Sequence, residues 1–341
     1  MIGPLGSALP RRRYVWLVGG AAALLGAALL GAPMVGSTSL RAASVFAGLG
    51  RWDANSDAAI FFLLRLPRVA LAAVVGASLA ISGTAFQSLL RNPLATPFTL
   101  GVSAGASLAA VLAQRLLPAG IGSELALPAA ALLGAVLAAT LVLGLSVRRQ
   151  DVPTNVLLLA GVTLNFTIGA AVLMLHYFAD HTETARMVRW MMGDLEGGTY
   201  RLLALLVAAS APAWWLLLRS GRTLNLLALG LDEARAHGVE ARAAMLRGFI
   251  AAAWATGLSV AVAGPVGFVG IIVPHAVRLL GGADSRIVLP ASFLGGAAFL
   301  VGCDALSRTL LAPVELPIGV VTACLGGPFF LGLLLRRKAS L

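Results

Sequence analysis

The chain has 341 residues, of which 59% are apolar and only 11% charged. Soluble domains carry roughly a quarter of their residues as charges, so that class is excluded. A helix crossing the hydrocarbon layer uses about 20 apolar residues, and the apolar inventory therefore serves about ten crossings. The formal charge of +11 does not point to nucleic acid, because the arginines are scattered between apolar runs instead of forming one basic face, a pattern that fits membrane topology.

Taken in chain order, the first span runs from about Tyr14 to Met34 behind Arg11, Arg12 and Arg13. Its apolar core exceeds the roughly 7–15 residues of a signal peptide, which predicts an uncleaved helix. Further spans are predicted at about 69–89, 98–114, 126–147, 155–178, 202–218, 248–263, 267–280, 288–307 and 317–335. The expected fold is an all-α, polytopic membrane helix bundle of about ten transmembrane helices, one transmembrane domain over 1–341 with a cytoplasmic tail at 1–13. With the N-terminus inside, 16 of the 25 basic residues fall on the cytoplasmic side. This bias predicts both termini in the cytoplasm and a multi-pass protein of the cytoplasmic (inner) membrane. Glycine recurs at short spacings, as in Gly76 to Gly83, Gly101 to Gly105 and Gly264, Gly267, Gly270, and such small faces allow close helix packing in lipid.

The missing chemistry is informative. A P-loop needs a lysine after its glycines, yet the only lysine is Lys338, at the C-terminal end of the last span, so no Walker-type ATP hydrolysis is expected of this chain. Asp304 lies four residues before Arg308, a spacing that predicts mutual neutralisation near a helix end. His176 and His181, without a convergent carboxylate or cysteine, make a weak metal site, and packed or solvated histidines are favoured. Cys303 and Cys324 sit in apolar runs without C-x-x-C spacing, so neither metal nor disulfide is expected. The longest polar stretch, 219–247, contains Leu229-Gly-Leu-Asp-Glu-Ala-Arg-Ala-His-Gly-Val239. It predicts a short surface helix capped by Gly238, suited to docking a soluble partner or to lying against lipid headgroups.

Several segments in sequence order resemble the permease subunits of ATP-driven importers for iron chelates and vitamin B12, the FecCD family. They are Arg65-Leu-Pro-Arg-Val69, Gly76-Ala-Ser-Leu-Ala-Ile-Ser-Gly83, Gln87, Arg91-Asn-Pro-Leu-Ala-Thr-Pro97 and Leu100-Gly-Val-Ser-Ala-Gly-Ala106, then Trp190-Met-Met-Gly193, Leu224-Asn225, Ala263-Gly-Pro-Val-Gly-Phe-Val-Gly270, Val273-Pro-His-Ala-Val-Arg278 and Glu315-Leu-Pro-Ile-Gly-Val-Val-Thr322. The resemblance implies a type II ABC importer permease, working as a homodimer with the path along its two-fold axis. It also implies two ATP-binding-cassette ATPase subunits beneath, which bind ATP and Mg, and a periplasmic or lipid-anchored substrate-binding protein above. This chain would bind no cofactor. The cargo would be an iron(III) chelate, siderophore or haem, or cobalamin.

The same resemblance implies roles for particular residues. Arg65, Arg68 and Arg308 would receive carboxylates of the binding protein, a task that suits guanidinium forks. Asn92 and Leu94 in the loop 91–97, with Thr154 and Asn155 in the loop 148–155, would form the cytoplasmic gate. The segment 219–247 would be the coupling segment, with Asp232, Glu233, Arg235 and Gly238 facing the ATPase. Met174, His176 and Tyr177 suggest a place on the substrate path. Asp194 and Glu196 depart from the uncharged residues usual in the family. Two other classes compete: an ion-coupled secondary carrier, and an intramembrane enzyme built on His176, His181 or Cys303.

Overall fold

The computed structural model describes residues 11–48, 55–116, 123–147 and 154–338. Among them the chain forms α1 (Arg11–Gly31), a 3-10 turn at Ala32–Met34, α2 (Ala42–Ala47) and α3 (Ser56–Ala59), which runs through a π-helical stretch, Ile60–Arg65, into α4 (Leu66–Leu89). There follow α5 (Val102–Leu116), α6 (Ser123–Val147), α7 (Thr154–Tyr177), α8 (His181–Met191) and α9 (Tyr200–Arg219). The last elements are α10 (Gly221–Leu229), α11 (Leu231–Ala236), α12 (Ala241–Ala263), α13 (Val269–Gly281), α14 (Ser285–Thr309) and α15 (Ile318–Lys338). Strands are absent from the described residues.

Seven described helices are long and apolar enough to cross a membrane, and three shorter apolar ones, around α5, α13 and α15, complete the pattern. Each of the ten expected spans thus has a helix. Two are shorter than expected. The span placed at 98–114 begins at Val102, because residues 93–101 form turns first. The span placed at 267–280 is helical only over the 13 residues of α13. At 1.5 Å per residue that is about 20 Å, less than the hydrocarbon core of about 30 Å. Residues 264–267 feed it from the end of α12 as irregular chain, with Gly264 at φ +67° and Phe268 at φ +65°. Such backbone is tolerated at membrane depth when protein surrounds it.

Local chemistry sets several element ends. Asn55 accepts from the Ala58 N–H at 3.2 Å to start α3. Pro67 lacks the N–H that would bond one turn back, and the widened π turn immediately precedes it. Asp180 and Glu183 form a reciprocal capping box on α8.

The centre of the bundle is α4, buried along nearly its whole length from Val69 to Leu89. It packs along α14 more extensively than any other pair of described helices and also touches α12, α13 and α9, while α1 packs on α14. Glycine permits these approaches. A Cβ on Gly76 would lie 2.2 Å from the Gly296 carbonyl oxygen, and one on Gly296 2.4 Å from the Gly76 carbonyl oxygen. Gly83 meets Gly270 of α13, and Gly105 of α5 meets Gly134 of α6, equally closely. One core cluster gathers around the edge-to-face pair Phe86 and Phe249, and a second around Leu71, Val75, Leu79 and Leu300.

Gly76→Ala or Gly296→Ala is expected to force α4 and α14 apart and cost about 1–3 kcal/mol of stability through overpacking. Gly302→Ala, on the same α14 but with nothing within 4 Å of its added methyl, should leave the thermal midpoint of the purified, detergent-solubilised chain unchanged.

Candidate functional site at the two ends of the bundle

At one end, the N-terminus of α4 and the C-terminus of α14 meet in a buried ionic cluster. Asp304, fully buried, accepts from Arg68 at 2.7 Å and from Arg308 at 2.9 Å. Arg68 also reaches Glu315 at 2.6 Å. The expected neutralisation of Asp304 by Arg308 is present. Arg308, 2% exposed, further donates to the carbonyls of Ala32 and Val35. Arg65, 6% exposed, donates to the carbonyls of Pro33, Met34 and Thr38 and to the Thr38 hydroxyl at 2.7–3.3 Å. Gly36 is needed beside it, since a Cβ there would fall 2.6 Å from the guanidinium. The structure gathers the three expected arginines at one end, with Arg65 and Arg308 buried there. Two are spent on main-chain carbonyls of the segment after α1, where a charged group out of water must have partners.

The cluster opens on one side into a cleft of about 410 Å³ whose lining includes Arg68, Arg189, Asp194, Glu196 and Glu315. Partial burial and then the neighbouring Asp194 push the Glu196 carboxyl above its ordinary range. The two acidic residues that depart from the family pattern thus stand in the same cleft as Arg68. Sequence places Glu315 only within a family motif and gives Arg189 no role, because Glu315 meets Arg68 from 247 residues away.

At the opposite end α11 stands out from the bundle. The expected short surface helix is present over Leu231–Ala236, between Gly230 and Gly238. Gly238 adopts φ +76°, with its N–H on the Arg235 carbonyl and the Val239 N–H on that of Ala234, both at 2.9 Å. This is the left-handed C-cap expected of it. Arg235 pairs with Asp232 at 3.1 Å, and the Asp232 side chain is 97% exposed. The helix is anchored through α10: Asn225 donates to Asp284 at 2.8 Å and accepts from the Ser285 N–H at 2.7 Å, joining α10 to the start of α14. Burial works to raise the Asp284 carboxyl, but hydrogen bonds from Arg286 and Asn225 outweigh it and hold it below the usual value. An aspartate directly before a helix is a legible N-cap signal; its asparagine partner 59 residues away is not.

The turn after α4 lies at this end. Asn92 Oδ1 accepts from the Leu94 N–H at 2.8 Å, and Leu94 is exposed. Of the second expected gate loop, residues 148–153 lie outside the described residues; Thr154 begins α7 and Asn155 is exposed. Deeper in the bundle, Gln87 donates to the Gly270 carbonyl at 2.8 Å and accepts a hydrogen bond from Arg278. The Met174, His176, Tyr177 group does not converge. Met174 and Tyr177 are exposed, whereas His176 Nε2 is buried without a hydrogen-bond partner. No group of three potential metal ligands occurs among the described residues.

Residues 23–336 match the model of the FecCD transport family. The chain is 43% identical over 295 residues to the hemin transport system permease protein HmuU of Yersinia pestis, covering 84% of this chain and 87% of the relative. It is 39% identical over 289 residues to the vitamin B12 import system permease protein BtuC of Klebsiella pneumoniae, covering 85% and 86%. A solved structure of a metal-chelate type ABC transporter in an inward-facing conformation superposes with a TM-score of 0.81 at 30% identity, covering 95% of this chain and 99% of that one. An all-helical, multi-pass bundle with this match along nearly its whole length belongs to the FecCD transport family and is a transport permease subunit, not an enzyme.

Proposed function

We propose that the chain is the membrane permease of an ATP-binding-cassette importer for a large metal chelate. The carrying observation is the division between its ends: a glycine-bracketed helix with exposed acidic residues at one, and a buried arginine cluster opening into a cleft at the other. The relatives' substrates, hemin and vitamin B12, make haem and cobalamin the first cargoes to test, ahead of a siderophore. Two copies assemble around a path on their two-fold axis, two ATPase subunits bind at the α11 ends, and one binding protein sits on the Arg308 ends. The excess of basic residues on the predicted inner side supports a cytoplasmic α11 end and cytoplasmic termini. On α7, Leu159, Phe166 and Leu173 recur every seven residues and are all exposed, a stripe that supports its placement beside the axis. Met174 and Tyr177 flank the stripe and are the side chains offered to cargo; His176 is turned away.

The ion-coupled carrier is the competing reading. Its driving ion would need an intramembrane carboxylate free to bind it, whereas Asp304 is already held by two arginines. Proteoliposomes decide between them. Uptake of haem or cobalamin should require the cognate ATPase and ATP, and uptake by the chain alone under an ion gradient would overturn the importer reading.

For docking, the burial of Arg65 and Arg308 shifts the expectation to Arg68. An incoming carboxylate replaces Glu315 on Arg68 while Asp304 stays in place. Glu315→Gln should then tighten capture of the cognate binding protein, and Arg68→Ala should weaken it and flatten the salt dependence of its on-rate. Unchanged affinity in both would sink the assignment. Reversing Arg308 instead would leave buried charge unpaired, costing about 3–5 kcal/mol, and would report on folding.

Coupling is read separately. Gly238→Pro cannot adopt positive φ, and Asp232→Arg reverses an exposed charge, so both should insert into the membrane yet lower uptake per ATP hydrolysed. Normal ratios in both would show that α11 only rests on the membrane surface.

With Cys303 and Cys324 replaced, Leu94→Cys and Thr154→Cys should each cross-link to their own copy in some nucleotide states and not in others. The reasons are that a two-fold axis brings equivalent positions together and that a disulfide needs Cα atoms within about 7 Å. Cross-linking that ignores nucleotide, or none at all, would remove these residues from a moving gate.

A further inference from the structure

The residue that ends α4 has a backbone made for glycine and a side chain that is not. Arg91 adopts φ +47°. The Asn92 N–H reaches back to the Gln87 carbonyl at 3.1 Å and the Arg91 N–H to that of Ser88 at 3.4 Å, the double closure that normally carries glycine at this position. Among the described residues only Phe268 shares a positive φ without being glycine. The turn favours a glycine, so an arginine here carries a backbone cost that its side chain has to offset.

That side chain points at α11. Arg91 lines a cleft of about 410 Å³ whose other walls are Leu229, Gly230, Leu231, Asp232 and Glu233. A Cβ on Gly230, the hinge between α10 and α11, would lie 3.9 Å from Arg91 Nη1 and also 3.9 Å from Glu233 Cγ. The guanidinium and the glutamate stem therefore flank one point, and the glycine there leaves no side chain between them. Asp232 is already paired with Arg235, whereas neither Arg91 nor Glu233 has an ion-pair partner among the described residues.

We infer that Arg91 is a positioning residue: it closes an ion pair with Glu233 across Gly230 when α11 is displaced, and so ties the Asn92–Leu94 turn to the movement of α11. The inference rests on the reading of α11 as the ATPase-facing helix and divides the labour within it. Asp232 faces outward to the partner, while Glu233 faces inward to Arg91. A bidentate guanidinium–carboxylate pair transmits direction as well as force, which a lysine would do poorly.

The test is a charge exchange in the full transporter reconstituted in liposomes, reading cargo imported per ATP hydrolysed. Arg91→Glu and Glu233→Arg should each lower that ratio about tenfold or more, and the double variant should recover to within about threefold of the parent chain. Arg91→Lys should recover part of the loss. Arg91→Gly is the decisive single variant, because it relieves the backbone and deletes the guanidinium. Its thermal midpoint should be unchanged or raised by about 2 °C, while its transport ratio falls with that of Arg91→Glu.

Arg91→Gly coupling as well as the parent would overturn the inference, leaving Arg91 as a helix cap only. Single defects without recovery in the double variant would also overturn it, and would assign the guanidinium to a carboxylate of the ATPase. Failure of the α11 reading alone looks different: Gly238→Pro would transport normally while the Arg91 and Glu233 exchange still showed mutual rescue.

Discussion

The structure depends on how closely α4 can approach its neighbours. In lipid no hydrophobic force drives helices together, so association comes from packing, and packing improves as backbones come closer. At Gly76 with Gly296 and at Gly83 with Gly270 a single methyl would collide with a carbonyl oxygen. The contact between α4 and α14 therefore exists only because both partners lack side chains at the crossing. With this approach in place, α4 is buried from Val69 to Leu89 and the remaining helices are arranged around it.

That packing makes α4 and α14 two joined rods whose four ends hold the ionic cluster and the links toward α11. At one end lie Arg68 and Asp304; at the other lie Arg91 with the Asn92–Leu94 turn, and Asp284 with its link to α10. A helix of 25 residues, the length of α14, is about 37 Å long, enough to join the two faces of a membrane. In the proposed coupling, a displacement of α11 has two short routes into the bundle, Asn225 to Asp284 and Gly230 to Arg91. A stiff pair of helices lies behind both, which is the kind of physical connection that coupling between distant faces requires.

The buried charges of the bundle, together with Gln87, follow one rule. Asp304 is surrounded by Arg68 and Arg308, Arg65 and Arg308 are surrounded by carbonyls, and Gln87 bridges the Gly270 carbonyl and Arg278. Charges that are satisfied in this way hold elements in register and are not free to bind and release an ion. A permease that leaves the energy-yielding chemistry to a partner has no need of a free intramembrane carboxylate, and the absence of a P-loop lysine in the sequence accords with that division.

Much was determined by sequence alone, wherever the physics is local. Apolar runs long enough to cross the hydrocarbon placed the helices, Gly238 marked the end of α11 because only a left-handed cap could follow, and four-residue spacing paired Asp304 with Arg308. The ordered motifs of the FecCD family are legible in the sequence itself. Tertiary structure alone decided what depends on partners distant in sequence. Only the fold brings Arg65 against the carbonyls of the segment after α1. Arg68 was shown to share Asp304 with Arg308 from 236 residues away, α13 to be completed by irregular chain, and Arg91 to stand in a glycine's conformation beside α11. Hydropathy and spacing encode which residues leave water, because that choice is made residue by residue. They do not encode which buried groups find each other, because that is settled only when helices far apart in the chain close to contact distance.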